Sequence, residues 1–464
     1  RQQRQGFDRA WFNWGGLAWP VTAAPAHDAE LRLVGVQTAL VRGAALVTLT
    51  VELRDTRATG APAPVAVAGS LSRAAGTLPV TFDPVVLAPG ERRRVSARLA
   101  VARPALWAPG SPALYDLALT AGPGGAEVRQ AIGLRELRRE GRRLLLNGRP
   151  LRIAGAGLPP DAEGHGDALT PADQDRIVAE LRAIGANAAR SQHPLSDELL
   201  SRLDAAGILV WQQVGPFDKA GRFWAQTPRR RALAIGRAVA AADRTAAHPS
   251  VLAFNLANEV AGRGHPGGQA RYIDTLARAL KRRAPGVLVV ADVWGRHPPR
   301  RAGGRLFRDL DAVGLTEYIG IFDAAGRPAR EQEALVRTML RRARVALPGK
   351  PLVITEFGAN ANGRNPADRP GGLRYQARLL TRRIGFYARR AEVAGTLIWV
   401  LRDYAVTPGF RGGTLRGRVP GLALSAPLNE KGLFRYDGSP KPAVAAVARA
   451  YARTAAPSPE PAHP

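Results

Sequence analysis

Cysteine is absent from the 464 residues. The chain therefore has no disulfide framework, no thiolate nucleophile and no cysteine-ligated metal. Long apolar runs are absent too: nothing approaches the ~20 residues that a membrane-spanning helix needs, which excludes an integral helical membrane protein. Lysine is scarce, occurring only at positions 219, 281, 350, 431 and 441. Acidic residues are few, 38 against 67 Lys and Arg, for a formal charge of +29. Nearly all of the basic charge is Arg, spread over every segment amid Ala, Gly and Pro, so the excess reads as Arg replacing Lys on solvated faces. The alternative is a surface that attracts anions such as nucleic acid or an acidic polysaccharide. Nucleic-acid modules concentrate their charge and interleave aromatics with it. The densest clusters here, RRR at 92–94 and 229–231, have no aromatic repeat around them. No nucleic-acid partner and no membrane partner is expected. An initiator Met is missing as well, and the opening RQQRQGFDRAWFNWGGLAWPV has no signal-peptide pattern, as expected of a processed fragment. Whether the protein is cytoplasmic or secreted is left open.

What is present is an ordinary globular composition, 45% apolar and 23% charged, at a length of two or three domains. From about 30 to 135, LRLVGVQTAL, AALVTLTVEL, APVAVAGSL, RRVSARLAV and ALYDLALTA carry period-2 alternation between Gly, Pro and Asp turns. That pattern predicts a small β-sandwich. From about 150 the character changes to short apolar runs alternating with amphipathic helical stretches. The predicted strands are 151–157, 186–192, 208–214, 251–259, 287–294, 312–318, 352–358 and 395–401. Thr170 with Pro171 opens one predicted helix, and Ser196 caps the next. Eight buried strands alternating with helices point to a (β/α)8 barrel. A doubly wound open sheet would want a GxGxxG loop after an early strand, and GAGLPPD lacks it.

VLAFNLANEV, residues 251–260, poses the functional question, because an apolar strand closes on Asn258 and Glu259. Alone, that pair is more often a helix cap than chemistry. In a barrel, however, the C-terminal strand ends form the active face. Glu259 is read at the end of the fourth strand and Glu356, in LVITEFG, at the end of the seventh. Two carboxylates on one rim can grip a glycosidic bond; a separation of about 5–5.5 Å suits a nucleophile and an acid/base, a wider gap an inverting water. Either could instead be a structural partner of one of the many Arg residues. Arg190, ending the second strand, could hold a carboxylate ionised or be a rim salt bridge. Asn258 could donate to a sugar 2-hydroxyl. Tyr318 could hydrogen-bond Glu356 or be a packed aromatic, and Trp399 could be a sugar platform or plain core.

The motifs together resemble family 2 of the glycoside hydrolases, which includes β-galactosidases, β-glucuronidases and β-mannosidases. WFNWGGLAWPV resembles the last strand region of that family's N-terminal jelly roll. LWAPGSPALYDL (106–117) and IGLRELRREGRRLLLNGRPLRIAGAG (132–157) resemble its immunoglobulin-like domain and the entry into its barrel. RSQHP (190–194) resembles its Arg-x-x-His stretch, HPSVLAFNLANE (248–259) its acid/base motif and LVITEFGAN its nucleophile motif. LDAVGLTEYIGIFD resembles its sixth strand and NEKGLFRYDGSPKPA (429–443) its closing segment. The resemblance implies four segments: a jelly-roll remnant at 1–26, an immunoglobulin-like β-sandwich at 27–137, a TIM-barrel catalytic domain at 138–453 and a disordered Pro-rich tail at 454–464.

Carried over by position, the resemblance makes Glu259 the acid/base and Glu356 the nucleophile of a retaining exo-β-glycosidase. His193 and Asn258 fall on substrate-contacting positions. Asn429 and Lys431 resemble the pair with which β-glucuronidases hold the sugar carboxylate, and a cation beside an amide fits that task. LANEV, GLTEYIGIFD and ITEFGAN are similar to β-glucuronidases, whereas VWQQ (210–213) leans toward the mannosidase branch. GAGLPPDAEGHG departs from the Asn-Arg-His-Glu stretch of β-galactosidases, and IWVLRDY departs from the Trp-Asn-Phe form of glucuronidases. Residues 405–428 read as an insertion near the mouth. The expected partner is a β-glycoside, with an acidic sugar among the candidates; no cofactor and no metal is implied, and a homo-oligomer is left open. The alternatives are β-galactosidase or β-mannosidase specificity on the same scaffold, or a carbohydrate-binding protein that has lost turnover.

Overall fold

Period-2 alternation in the first third of the chain folds into antiparallel strands. The computed structural model describes residues 12, 14–23, 25–74, 76–122, 125–215, 227–260, 268–298, 307–407, 419, 421–425 and 427–455. Ala29–Val41, Ala44–Asp55 and Arg92–Ala102 make a three-stranded sheet. Glu127–Ile132, Tyr115–Ala121, Val67–Arg73 and Gly76–Thr81 make a four-stranded one. Val47, Leu49 and Val51 of the first sheet share one buried core with Leu71, Val80 and Leu117 of the second, so the two sheets form a sandwich. APVAVAGSL differs from its predicted single strand. Ala63–Val65 pairs with Val85–Leu87, while Val67–Arg73 joins the four-stranded sheet. Pro64 has no N–H to give a central ladder, which confines its segment to a short edge pair.

Each of the eight predicted barrel runs coincides with or overlaps a strand: β1 (Ile153–Gly157), β2 (Ala188–Ser191), β3 (Leu209–Gln213), β4 (Val251–Asn255), β5 (Leu288–Trp294), β6 (Ala312–Thr316), β7 (Leu352–Glu356) and β8 (Val393–Ile398), the last beginning two residues before its run. Every neighbouring pair is parallel, and β8 pairs with β1 from Ile153↔Gly395 onward, closing the barrel. The helices are α1 (Pro171–Ala183), α2 (Asp197–Ala206), α3 (Pro228–Thr245), α4 (Gly268–Arg283), α5 (Ala329–Ala346), α6 (Leu373–Ala388) and α7 (Ala443–Ala455). Thr170 caps α1, Pro171 stands in its first turn and Ser196 caps α2, as the sequence predicts; the structure adds that Asp173 completes a reciprocal box with Thr170. None of the described helices is long and apolar enough to cross a membrane.

Six of the predicted runs end past their strands, the fourth by the most, and Trp399, read in the eighth strand, lies one residue past β8. β4 stops at Asn255, whose carbonyl accepts the N–H groups of Val214 and Gly215, just past β3 (3.0 and 3.3 Å). The backbone then stays paired with β5, for example through Val260 N–H to Asp292 O (2.9 Å), and Glu259 turns to φ +48°. Glu259 therefore lies four residues past the strand, and Tyr318 lies two past β6.

Inside the barrel the alternation sets two layers. Ala188, Trp211, Ala253, Val290, Val353 and Leu397 belong to one apolar cluster. Two residues further along four of these strands stand Arg190, Gln213, Asn255 and Asp292, all buried. The sandwich packs on α3 and on the start of β4. Arg94 bonds Asp243 at 2.6 Å, and buried Arg135 donates to Val251 O at 2.6 Å. Residues 1–11, 13 and 24 of the expected jelly-roll remnant, 408–418, 420 and 426 of the expected insertion and 456–464 of the expected tail lie outside the described residues.

Candidate active site

Glu356 ends β7 with its carboxylate at the top of the barrel, 5% exposed. Its Oε1 lies 2.9 Å from the Arg190 guanidinium and accepts from Gln192 Nε2 at 2.9 Å; its Oε2 accepts from the Tyr318 hydroxyl at 2.7 Å. Every one of these contacts comes from a donor or a cation. Tyr318 is pushed well above the ordinary tyrosine range, first by burial and then by the two carboxylates Glu356 and Glu259. It therefore remains a hydrogen-bond donor throughout the neutral range.

Arg190 is fully buried in β2 and does more than meet Glu356. Its Nε and Nη2 bond Asp292 Oδ2 at 3.0 and 2.6 Å, and Nη2 also bonds Asn258 Oδ1 at 2.8 Å. Burial works against its charge, but Asp292 and Glu356 outweigh burial and raise its pKa. Asp292 accepts further from Asn255 (3.0 Å) and Trp211 (3.2 Å). Burial raises the Asp292 pKa against the pull of Arg190. All four of those bonds come from donors, which fits the ionised form. This layer exists because β6 carries Gly314 opposite: a Cβ there would sit 1.9 Å from Asp292 Oδ1.

Asn258 and Glu259 stand on the segment past β4. Because Arg190 occupies the Asn258 oxygen, the amide nitrogen is turned out as a donor. Glu259 is half-buried at φ +48° and close enough to Tyr318 to raise its pKa, so both carboxylates act on one hydroxyl. His193 stands past β2, accessible at the mouth but flanked by protein that lowers its pKa by desolvation.

The last group comes from the segment between β8 and α7. Lys431 is 5% exposed, its ammonium 5.7 Å from the Tyr318 ring centroid and 5.3 Å from that of Phe322. Among the described residues no acceptor hydrogen-bonds that ammonium. Burial brings its pKa down to about 8, against the pull of Glu356 and Asp403. Asn429 spends its amide on the Tyr404 hydroxyl (2.9 Å) and its oxygen on the Lys431 N–H (3.2 Å), so it shapes this segment. Trp399, 4% exposed, has the Arg190 guanidinium 5.7 Å from its ring centroid and Tyr404 edge-on at 6.0 Å.

Comparison with known proteins places this geometry. The model described as "Glycosyl hydrolases family 2, TIM barrel domain" matches residues 137–405, and that described as "Glycosyl hydrolases family 2" matches 30–135. The chain belongs to glycoside hydrolase family 2. It is 26% identical over 363 residues to a β-glucuronidase of Paenibacillus borealis, covering 75% of this chain and 57% of that protein. A β-glucuronidase of Streptococcus agalactiae is 28% identical over 249 residues, 49% of this chain and 40% of that protein. The chain thus spans about half the length of these relatives. Among solved structures, a family 2 β-galacturonidase from Eisenbergiella tayi bound to galacturonate superposes with a TM-score of 0.76 at 23% identity, over 92% of this chain and 73% of that one. A Ruminococcus gnavus β-glucuronidase in complex with D-glucuronic acid gives 0.72 at 23% identity, over 91% and 68%.

Several polar residues of this family 2 site carry no signal of their own in the sequence. Gln192 and Asp292 lie inside motifs already singled out, RSQHP and the β5 run, yet only the closed barrel brings them to Glu356 and Arg190. Asp161, past β1, is 1% exposed and accepts from Trp14 Nε1 (3.2 Å) and the Ala405 N–H (3.1 Å). Burial raises its pKa to about 6. Its position in GAGLPPD offered only a departure from a galactosidase pattern.

Proposed function

We propose that this family 2 chain carries the catalytic centre of a retaining exo-β-glycosidase for β-linked uronic acids, most like a β-glucuronidase. Lys431 carries that reading. A buried ammonium with no acceptor among the described residues, set beside the Tyr318 that bonds Glu356, leaves an anionic partner to be supplied by the substrate. The printed names of the relatives, β-glucuronidases and a β-galacturonidase, support the same sugar class.

In this mechanism Glu356 attacks the anomeric carbon. Arg190, Gln192 and Tyr318 hold its two oxygens in place, so little reorganisation is needed as charge moves onto the sugar. Glu259 protonates the departing oxygen and then takes a proton from the water that releases the sugar. Asn258, its oxygen pinned by Arg190, offers its N–H to the 2-hydroxyl. His193 and Trp399 line the bound sugar, and Asn429 sets the approach of Lys431. Catalysis is assigned to 138–453, with 27–137 as a supporting sandwich.

A panel of nitrophenyl β-glucuronide, galacturonide, galactoside, mannoside and glucoside tests this. The uronides are expected to be cleaved best, and Glu356→Ala to remove turnover by several orders of magnitude. Glu259→Ala is expected to cost about 10²–10⁴-fold on alkyl glycosides. Its cost on nitrophenyl glycosides is smaller, because that leaving group needs less protonation. A preference for galactoside or mannoside would hand the scaffold to a neutral sugar. No hydrolysis of any of the five would leave a binding protein.

A further inference from the structure

The segment that presents Lys431 has its backbone tied down on both sides. Val400 N–H donates to Lys431 O (3.4 Å), and the Leu433 and Phe434 N–H groups donate to Leu401 O (both 2.9 Å), fastening it to the chain that leaves β8. Ala361 N–H donates to Glu430 O (2.9 Å), fastening it to the chain that leaves β7. Where these three stretches meet, Lys441 and Asp403 form an ion pair of 2.8 Å whose side chains are 1% and 6% exposed.

The three N–H groups of Lys441 go to three different stretches: Asp403 Oδ1 at 2.8 Å, Ala361 O at 3.0 Å and Glu430 O at 3.1 Å. Asp403 Oδ1 also accepts the Gly432 N–H at 2.7 Å. The approach is close enough that a Cβ on Gly432 would lie 2.2 Å from Asp403 N. Lys441 has no N–H left for a ligand. A buried ion pair is a poor way to gain stability, since an apolar pair of the same volume often does as well, so its worth here is positional. Burial raises the Asp403 pKa to about 7 against the pull of Lys441.

We propose that Asp403 and Lys441 are positioning residues for recognition of the substrate carboxylate. Their ion pair locks residues 429–432 in register against the chains leaving β7 and β8, and this lock puts the Lys431 ammonium beside Glu356. The proposal rests on reading Lys431 as the partner of a uronate.

The test compares nitrophenyl β-glucuronide with nitrophenyl β-glucoside, which differ only in carboxylate against hydroxymethyl, on the parent and on Lys431→Met, Lys441→Met, Lys441→Arg and Asp403→Asn. Lys431→Met and Lys441→Met are both expected to lower the glucuronide-to-glucoside ratio of kcat/KM by about tenfold or more. For Lys441→Met the loss falls on the glucuronide KM, with glucoside turnover held within about threefold. Lys441→Arg, which keeps the charge and the donors, recovers part of the ratio. Should Lys441→Met fail to fold, Asp403→Asn decides by the same ratio, since its amide oxygen can still accept the Gly432 N–H. If Lys431→Met collapses the ratio while the folded Lys441 and Asp403 variants leave it unchanged, or lower both substrates equally, the positioning role is wrong and the proposed function stands. If Lys431→Met leaves the ratio unchanged, the proposed function fails and takes this inference with it.

Discussion

At the scale of single residues, the site is a contest between burial and pairing. Arg190 is shared by Glu356, Asp292 and Asn258, and it is affordable as a buried charge only because two carboxylates meet it. Lys431 has no hydrogen-bonded carboxylate among the described residues, and burial brings its pKa down to about 8 against the pull of Glu356 and Asp403. Above that pH the ammonium is lost, so the glucuronide KM of the free enzyme is expected to rise through pH 8–9 while the glucoside KM stays flat. A flat glucuronide KM to pH 10 would deny the role. The same depression bears on stability, with a definite sign. The folded pKa lies below the unfolded 10.5, so the cost is present in full below about pH 8 and fades as pH rises towards 10.5. It is on the order of 3 kcal/mol. Lys431→Met is therefore expected to raise Tm by a few degrees at pH 7 while lowering glucuronide turnover; a fall in Tm would contradict the cost of burial.

Structural elements were legible where a local signal sufficed. Thr170 with Pro171 and Asp173 fixes the start of α1, and the eight apolar runs fix the barrel strands, because parallel strands buried on both faces read as continuous apolar stretches. The ends of those runs were less legible. Leu256 and Ala257 past Asn255 continue the apolar run, yet their backbone has lost its neighbour on β3, and nothing local announces that. Edge strands such as Gly76–Thr81 and Glu127–Ile132 carry few buried residues and so leave little alternation to read. Glu356 and Glu259 could be named from their places in the chain, whereas Asp292 could not, because its partners come from β2, β3 and β4. Two variants separate local from long-range control. Thr170→Ala is expected to cost about 1 kcal/mol with kcat/KM unchanged. Gly314→Ala, which drives a methyl into the Asp292 carboxylate, is expected to cost about 3 kcal/mol and to lower kcat as Arg190 shifts. Equal and small effects from both, by urea unfolding and assay, would mean that the Asp292 layer has slack.

Over the whole molecule, a sandwich and a closed barrel carry a formal charge of +29. A field of that sign concentrates anions around the mouth and is screened by salt. Raising NaCl from about 0.02 M to about 0.5 M is expected to lower kcat/KM for glucuronide by several fold and to leave glucoside unchanged. Equal responses would show that the charge does not guide substrate. All of this depends on Glu356 being the group that bonds the sugar. The most direct measurement is inactivation with a 2-deoxy-2-fluoro-β-glucuronyl fluoride followed by peptide mapping in a mass spectrometer. The expected result is one fluoroglucuronyl group per chain, carried on Glu356 within LVITEFG. Stoichiometric label on any other residue, or turnover of the reagent with no covalent adduct, would contradict it.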